Sequence, residues 1–343
     1  MEKILTFIIP AYNSEKYLSK CLDSFLDESF INLIEIIVVN DGSVDQTFNI
    51  ADSYRKRYPD SFRIVNKENG GHGSAINQGA AIASGNYFKV IDADDWILTS
   101  NLKKLLSIIK NKEADVIILP YHTIDMNTGE RNEYGLYDIE FDKNYKLSEL
   151  VTCWRSFENG LTFHGIIYNT DFYREKGIQL IEKVFYEDHE YATIPLCRAH
   201  SICPIDIPVY EYLIGNSQQS VSQVNQVKRL GHMEAVINHM LAYYKDTQEL
   251  LDEEKDLFVK KFEAFVLTYY KVACLVNPDR RDGRERSRQY CRIIENSVPK
   301  YKKKFSDKYK LYYLLSLMGL DEKNYEKLLN SKTYRKIRKK KGN

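Results

Sequence analysis

Tyr87-Phe88-Lys89-Val90-Ile91-Asp92-Ala93-Asp94-Asp95-Trp96 is a mostly apolar run that ends abruptly in three carboxylates. Its first five residues suit a short buried strand. Carboxylates gathered at the carboxyl end of a strand repel one another and lose hydration, so something positive is expected beside them. A divalent cation carrying a diphosphate fills that need. Taken alone, the run reads equally well as a solvated acidic turn that caps the next helix. Its surroundings decide.

Upstream, residues 4–9 and 34–39 are β-branched and apolar throughout, as expected of strands covered on both faces. Between them Tyr17, Leu18, Cys21, Leu22 and Phe25 fall at helical spacing, which predicts a helix over 14–25 with Asn13 or Ser14 as its N-cap. The same reading places helices over 45–57, 74–83 and 101–111, and strands over 62–65, 87–91 and 115–119. This alternation predicts an α/β fold, a doubly wound, mostly parallel sheet flanked by helices. Ligands of such sheets bind outside the carboxyl ends of the strands. Three unusual loops are expected there, at 10–13, 40–45 and 92–96.

Residues 120–225 mix short strands, turns and aromatics, and from Gln226 the pattern turns helical. Helices are predicted over 227–244, 249–275, 284–297 and 308–318, with Pro278 and the charged stretch 279–286 interrupting the series. The expected domains are therefore 1–225, α/β, and 226–343, helical.

The 343 residues suffice for one large or two modest domains. The six cysteines form no CxxC pair and sit beside no His at zinc-ligand spacing, which fits reduced thiols. Met1-Glu2-Lys3 runs straight into the first strand, and no apolar run approaches about 18 residues, so neither a signal peptide nor a membrane span is expected. The net charge of +1 hides an asymmetry: residues 226–343 hold 28 Lys+Arg against 16 Asp+Glu, a balance of +12, and residues 1–225 a balance of −11. A basic C-terminal part suits an acidic substrate, anionic lipid or nucleic acid, or solvated helix faces.

Two further loops carry chemistry. Val39-Asn40-Asp41-Gly42-Ser43 follows the second strand, where an Asp can accept a hydrogen bond from a base N–H or a ribose hydroxyl. Lys67-Glu68-Asn69-Gly70-Gly71-His72-Gly73-Ser74 joins the third strand to a small-residue helix. Glycines let the backbone approach an anion, and a helix N-terminus favours one. A dinucleotide fingerprint is excluded, because the third glycine is replaced by Ile76 and the loop follows the wrong strand.

In order along the chain stand Phe7-Ile8-Ile9-Pro10-Ala11-Tyr12-Asn13, Val39-Asn40-Asp41-Gly42-Ser43, Asn69-Gly70-Gly71, Asn77-Gln78-Gly79 and Asp92-Ala93-Asp94-Asp95. Together they resemble the nucleotide-binding half of the family 2 glycosyltransferases, which have the GT-A fold. The resemblance is specific over 4–100 and looser to about 225. It implies inverting transfer from a nucleotide-sugar, usually UDP-linked, with Mg²⁺ or Mn²⁺. By position it assigns Pro10, Ala11, Tyr12 and Asp41 to the base and ribose, Asp92 to the ribose or the metal's surroundings, Asp94 to the metal and Asp95 to orienting the loop. Many relatives carry an Arg where this chain has Ile76, so phosphate contacts are expected from His72, Lys67 or backbone N–H groups instead, with Gly71 and Asn77 as further nucleotide-binding residues.

The resemblance also implies a base well downstream. Phe185-Tyr186-Glu187-Asp188-His189-Glu190 supplies it, with Asp188 preferred over Glu187; alone, the stretch reads as the acidic start of a helix. His164 could touch a phosphate or the acceptor, or be a structural histidine. Residues 215–222, with Asn216 and Gln219, suggest a lid over the donor. The Gln-x-x-Arg-Trp motif of processive relatives is missing, which implies one sugar per encounter.

The expected partners are a nucleotide-sugar donor, a sugar, lipid-linked or protein acceptor, and an anionic membrane surface, with no nucleic acid. The expected location is cytoplasmic or peripheral at the inner face of the membrane. A nucleotidyltransferase would carry a Gly-rich basic signature after the first strand, where this chain has Pro10-Ala11-Tyr12-Asn13. A binding module without catalysis would not need both Asp94 and Asp188.

Overall fold

The computed structural model describes residues 2–215, 222–246 and 250–330. The chain divides into two compact units, one of residues 1–217 with 249–258, the other of 218–248 with 259–343.

The first unit runs β1 (Leu5–Ala11), α1 (Leu18–Asp23), β2 (Ile34–Asp41), α2 (Thr47–Arg57), β3 (Phe62–Lys67), α3 (His72–Ile82), β4 (Tyr87–Val90), β5 (Trp96–Ile97), α4 (Thr99–Ile109), β6 (Val116–Ile118), β7 (Tyr121–Asp125) and β8 (Arg131–Tyr134). It continues through α5 (Leu147–Thr152), α6 (Trp154–Phe157), β9 (Ile166–Asn169), α7 (Thr170–Glu175), α8 (Asp188–Tyr191), β10 (Ile202–Pro204) and β11 (Tyr210–Ile214). Seven strands form the main sheet in the order β10-β6-β9-β4-β1-β2-β3. Only β9 runs antiparallel within it. A smaller sheet has the order β5-β11-β7-β8.

Every residue of β1, β2 and β4 is buried, as their mostly apolar character dictates. The exceptions in residue type are compensated. Glu35 on β2 accepts from Thr6 Oγ1 (2.7 Å), the Ser84 N–H (2.7 Å) and Arg63 (2.9 Å). The chain builds β1, β2 and β3 outward, then crosses back to place β4 on the other side of β1. The crevice between the ends of β1 and β4 is thus the topological switch point of the sheet.

The first helix is shorter than its pattern predicted. Asn13 and Ser14 do not cap it: Asn13 adopts φ 49° and its Oδ1 accepts the Val44 N–H, while the Ser14 N–H donates to Thr47 Oγ1. Both therefore tie the β1 loop to the β2 loop, and the helix starts only at Leu18.

The second unit is helical: α9 (Gln223–Lys228), α10 (Leu230–Asp246), the part of α11 (Asp252–Lys271) from Val259 onward, a π-turn over Val272–Val276, α12 (Arg280–Ser297), α13 (Lys302–Leu317) and α14 (Glu322–Asn330). The expected interruption over 279–286 is instead the start of α12. Asp279 follows Pro278 and caps the helix, its Oδ1 accepting the N–H groups of Arg281 and Asp282. Glu234 of α10 ties three helices, accepting Arg286 at both oxygens (2.8 Å each) and the Tyr269 hydroxyl (2.8 Å). No helix among the described residues is long and apolar enough to cross a membrane.

Candidate active site

The acidic loop closes β4 at the switch point, and its three carboxylates have different surroundings. Asp95 is buried, its Oδ2 accepting the Tyr210 hydroxyl (2.6 Å) and its Oδ1 the Leu213 N–H (2.7 Å). The same Tyr210 oxygen accepts the Asp92 N–H (3.1 Å), so one side chain from β11 fixes the loop at two points. Asp92 and Asp94 are half-buried. Burial and the charge of Asp92 push the Asp94 carboxyl up to about 6, and Asp95 is raised by burial and by both neighbours. Carboxylate oxygens of all three lie within 4.8 Å of one another. A hard divalent cation fits this donor set, with Asp92 and Asp94 offering oxygens and Asp95 held by the protein.

His72, at the start of α3, links this loop to the downstream acidic pair. Its Nε2 faces Asp92 Oδ1 (2.8 Å) and its Nδ1 faces Glu187 Oε1 (2.5 Å). Burial alone would lower the pKa of this ring, but its two carboxylate partners raise it well above the usual histidine range. This geometry occupies His72 without any phosphate.

The glycine loop brings the second acidic segment close. Gly71 has φ 87°, and a Cβ there would stand 3.0 Å from the Lys183 nitrogen. At Gly73 a Cβ would stand 2.4 Å from the Ile181 carbonyl oxygen. The Lys183 N–H donates to the Gly70 carbonyl (2.7 Å). Asn77 holds the same segment at both ends of its amide, donating to the Leu180 carbonyl and accepting the Leu180 N–H (2.9 Å each). The segment then turns through positive φ at Lys183 (60°) and Tyr186 (76°), an uncommon conformation for such side chains. That turn delivers Glu187 to His72 and starts α8 at Asp188. Glu187 is 3% exposed and its carboxyl is raised by burial; Asp188 is half-buried.

Four of the residues expected at a nucleotide have hydrogen-bond partners within the protein. Asp41 is buried; its Oδ1 accepts Lys67 Nζ (2.7 Å) and the Gly70 N–H (2.9 Å), and its Oδ2 the Gly71 N–H (2.8 Å). The anion cradled by the glycine loop is thus the Asp41 carboxylate. Lys67 is engaged by Asp41 and the Glu68 carbonyl, Gly71 by Asp41, and Asn77 by Leu180. Pro10 and Ala11 end β1 in the buried layer, and Tyr12 is 54% exposed at the crevice rim.

His164 stacks on Tyr212 (centroids 4.1 Å apart) and lies against Tyr121, Tyr210 and Phe163. Burial lowers its pKa to about 4, so the ring is neutral. Its carbonyl oxygen accepts from Lys89 Nζ (2.6 Å), which also reaches the Ile166 carbonyl (3.2 Å). Lys89 is fully buried, and burial pulls its pKa down to about 7. Tyr210, Tyr212 and Lys89 escaped the sequence reading. The alternation of Val209-Tyr210-Glu211-Tyr212-Leu213 was a strand signal but did not say which loop the tyrosines face. Asn216 and Gln219 lie outside the described residues, as does most of the expected lid.

Residues 6–174 match the family described as Glycosyl transferase family 2. Over 130 residues the chain is 34% identical to Glycosyltransferase GlyG of Streptococcus pneumoniae serotype 4, which covers 38% of this chain and 42% of that relative. Among solved structures, the fold is similar to residues 1–349 of Staphylococcus aureus TarS in complex with UDP-GlcNAc, with TM-score 0.56, 19% identity and 92% of each chain covered. It is also similar to the mannosyltransferase PcManGT of Pyrobaculum calidifontis in complex with GDP-Man and Mn²⁺, with TM-score 0.53, 13% identity, and 95% of this chain and 88% of that one covered.

Proposed function

We propose that this chain, which belongs to glycosyl transferase family 2 through residues 6–174, moves one sugar from a nucleotide-sugar to an acceptor hydroxyl with inversion at the anomeric carbon. The observation that carries this reading is the pairing across His72. It joins an acidic loop fit for a diphosphate-bound cation to the segment that presents Asp188. The solved relatives hold a UDP-sugar in one case and a GDP-sugar in the other, and the family resemblance favours UDP here.

Asp92 and Asp94 would hold Mg²⁺ or Mn²⁺, which when bound neutralises charge that develops on the departing diphosphate. Asp95, Tyr210 and the Leu213 N–H keep the loop in place. Asp188 takes the proton of the acceptor hydroxyl as the new carbon–oxygen bond forms, and the old bond's electron pair leaves with the phosphate oxygen. Glu187 is a positioning residue in this scheme: it is buried and its Oε1 is engaged by His72. Pro10, Ala11 and Tyr12 border the base. Asp41 supports the site from beneath by fixing the glycine loop.

The acceptor belongs to cell-surface polysaccharide or glycoconjugate synthesis, and the protein works in the cytoplasm, peripheral to the inner face of the membrane. The +12 balance of residues 226–343 supports the membrane contact. The test is Mn²⁺-dependent turnover of a UDP-sugar panel, with Asp188→Asn as the variant. The variant should bind UDP with Mn²⁺ as the parent does and lose roughly 10²–10⁴-fold in transfer. Full transfer by a folded Asp188→Asn protein would remove Asp188 from the role of base.

A further inference from the structure

We propose that the exposed face of α13 is a docking surface for anionic lipid, seated by Leu311, Leu314, Leu317 and Met318. This gives residues to the membrane contact proposed above and rests on that reading. The helix is held within its own unit by its other face. Phe305, Tyr312 and Leu315 are buried, and α13 packs on α12 and the π-turn. The four apolar residues are left 41%, 56%, 55% and 72% exposed within two helical turns. Scattered single leucines on a surface need no account, but four large apolar side chains on one arc do.

Charge decides which occupant suits them. Residues 311–320 contain no charged side chain, while 301–310 contain Lys302, Lys303, Lys304, Lys308 and Lys310 against the single carboxylate Asp307. Lys304 is paired with Glu263 at 2.7 Å. At 100° per residue, Lys303 and Lys310 fall on the same arc as the four apolar residues, with Asp307 between them. An apolar end with lysines along the same face matches a helix lying in the lipid interface. The leucines enter the acyl boundary, and the lysine stems reach back to headgroup phosphates. A second copy meeting this face with its helix parallel would set lysines against lysines, which disfavours that form of self-association. The lysines also select anionic over neutral lipid.

The full chain should be sedimented with vesicles of phosphatidylcholine alone and of phosphatidylcholine with phosphatidylglycerol. Binding to the anionic vesicles should exceed binding to the neutral ones by roughly tenfold and fall with added salt. The double variant Leu311→Ser/Leu314→Ser should lose roughly tenfold or more of that binding. Lys303→Glu/Lys310→Glu should lose it and flatten the salt dependence. Both variants should keep the parent's circular dichroism and its rate of nucleotide-sugar hydrolysis, so a failure of docking and a failure of the transferase reading are distinguishable. Equal binding to both vesicles, binding to neither, or unchanged binding by the leucine variant would overturn the proposal. So would a concentration-dependent dimer that the leucine variant abolishes while the parent binds no vesicles.

Discussion

The loops after β2 and β4 are both acidic turns at strand ends flanking β1, yet the protein treats their charge in opposite ways. After β2, Asp41 meets Lys67 and two backbone N–H groups, and nothing of its charge is left unanswered. After β4, three carboxylates converge: Asp95 is held by neutral donors, Asp92 faces His72, and Asp94, with no such partner among the described residues, is pushed up to about 6 by burial and by Asp92. A lysine is available there too. Lys89 lies on β4 itself, but its Nζ points at the carbonyls of His164 and Ile166. A carboxylate answered by the protein serves the fold, and a cluster left with surplus negative charge is ready for a cation from outside.

The largest break between the loops should come from Asp94→Asn. Transfer should fall on the order of 10³-fold, because the loop loses its best-placed ligand. Stability in the absence of metal should not fall, since one member of a repelling pair is removed. Thermal melts with and without Mn²⁺ check both halves: the parent should melt higher with the ion, and the variant should not respond. A variant that is unstable yet active would reverse the assignment of the two loops.

Asp41→Ala should do the opposite. It removes the Lys67 ammonium's charge partner and strands two N–H donors in a largely buried place, a loss of about 3 kcal/mol. Denaturant unfolding should show it, while the Mn²⁺-induced rise in melting temperature persists in the protein that folds. Loss of nucleotide binding with full stability would instead put Asp41 against the base.

This pair of loops also shows how far sequence reaches. Both acidic runs were legible, because strands buried on both faces are mostly apolar stretches and each run ends one. Both were also expected at the carboxyl ends of parallel strands, and the structure has them at the ends of β2 and β4. What sequence could not show is which charges cancel. Asp41 and Lys67 are 26 residues apart, and Gly70 and Gly71 point their N–H groups inward only once β2 and β3 are in register. His72 was legible as a residue beside an anion, but its partners Asp92 and Glu187 lie 20 and 115 residues away. The stretch 279–286 misled because its charges suggested a loop. Several of them are bonded within the unit, Arg280 to the Cys274 carbonyl and Arg286 to Glu234 and Asp282, and the first buried positions of α12, Gly283 and Ser287, carry little apolar signal.

Lys89 offers a pH test of the statement that the β4 loop's lysine does not serve its carboxylates. Its folded pKa is near 7, below the unfolded value near 10.4. Between those values the unfolded chain binds the extra proton, so the lysine's contribution to stability rises with pH across that window and is least favourable below it. Relative to Lys89→Met, the parent should gain about 1 kcal/mol per pH unit between pH 8 and 10, read from unfolding midpoints. A Lys89 that instead shared charge with Asp92 and Asp94 would have its pKa raised, and this difference would be flat in that range.

The smallest effect should come from Tyr210→Phe, and it isolates the one side chain that makes the β4 loop rigid without neutralising it. The change keeps the ring against His164 and removes only the hydroxyl. It leaves the Asp92 N–H without its acceptor and Asp95 Oδ2 without its donor, which costs about 1–2 kcal/mol. Asp95 retains the Leu213 N–H, so the loop should loosen and not collapse. Transfer should then fall only severalfold, with a weaker apparent affinity for Mn²⁺ and little change in turnover at saturating ion. A fall in turnover that saturating Mn²⁺ does not restore would mean the hydroxyl acts on the substrate. Tyr210 would then belong with Asp188 among the groups that touch it, and the surplus charge of the loop would no longer suffice to explain the site.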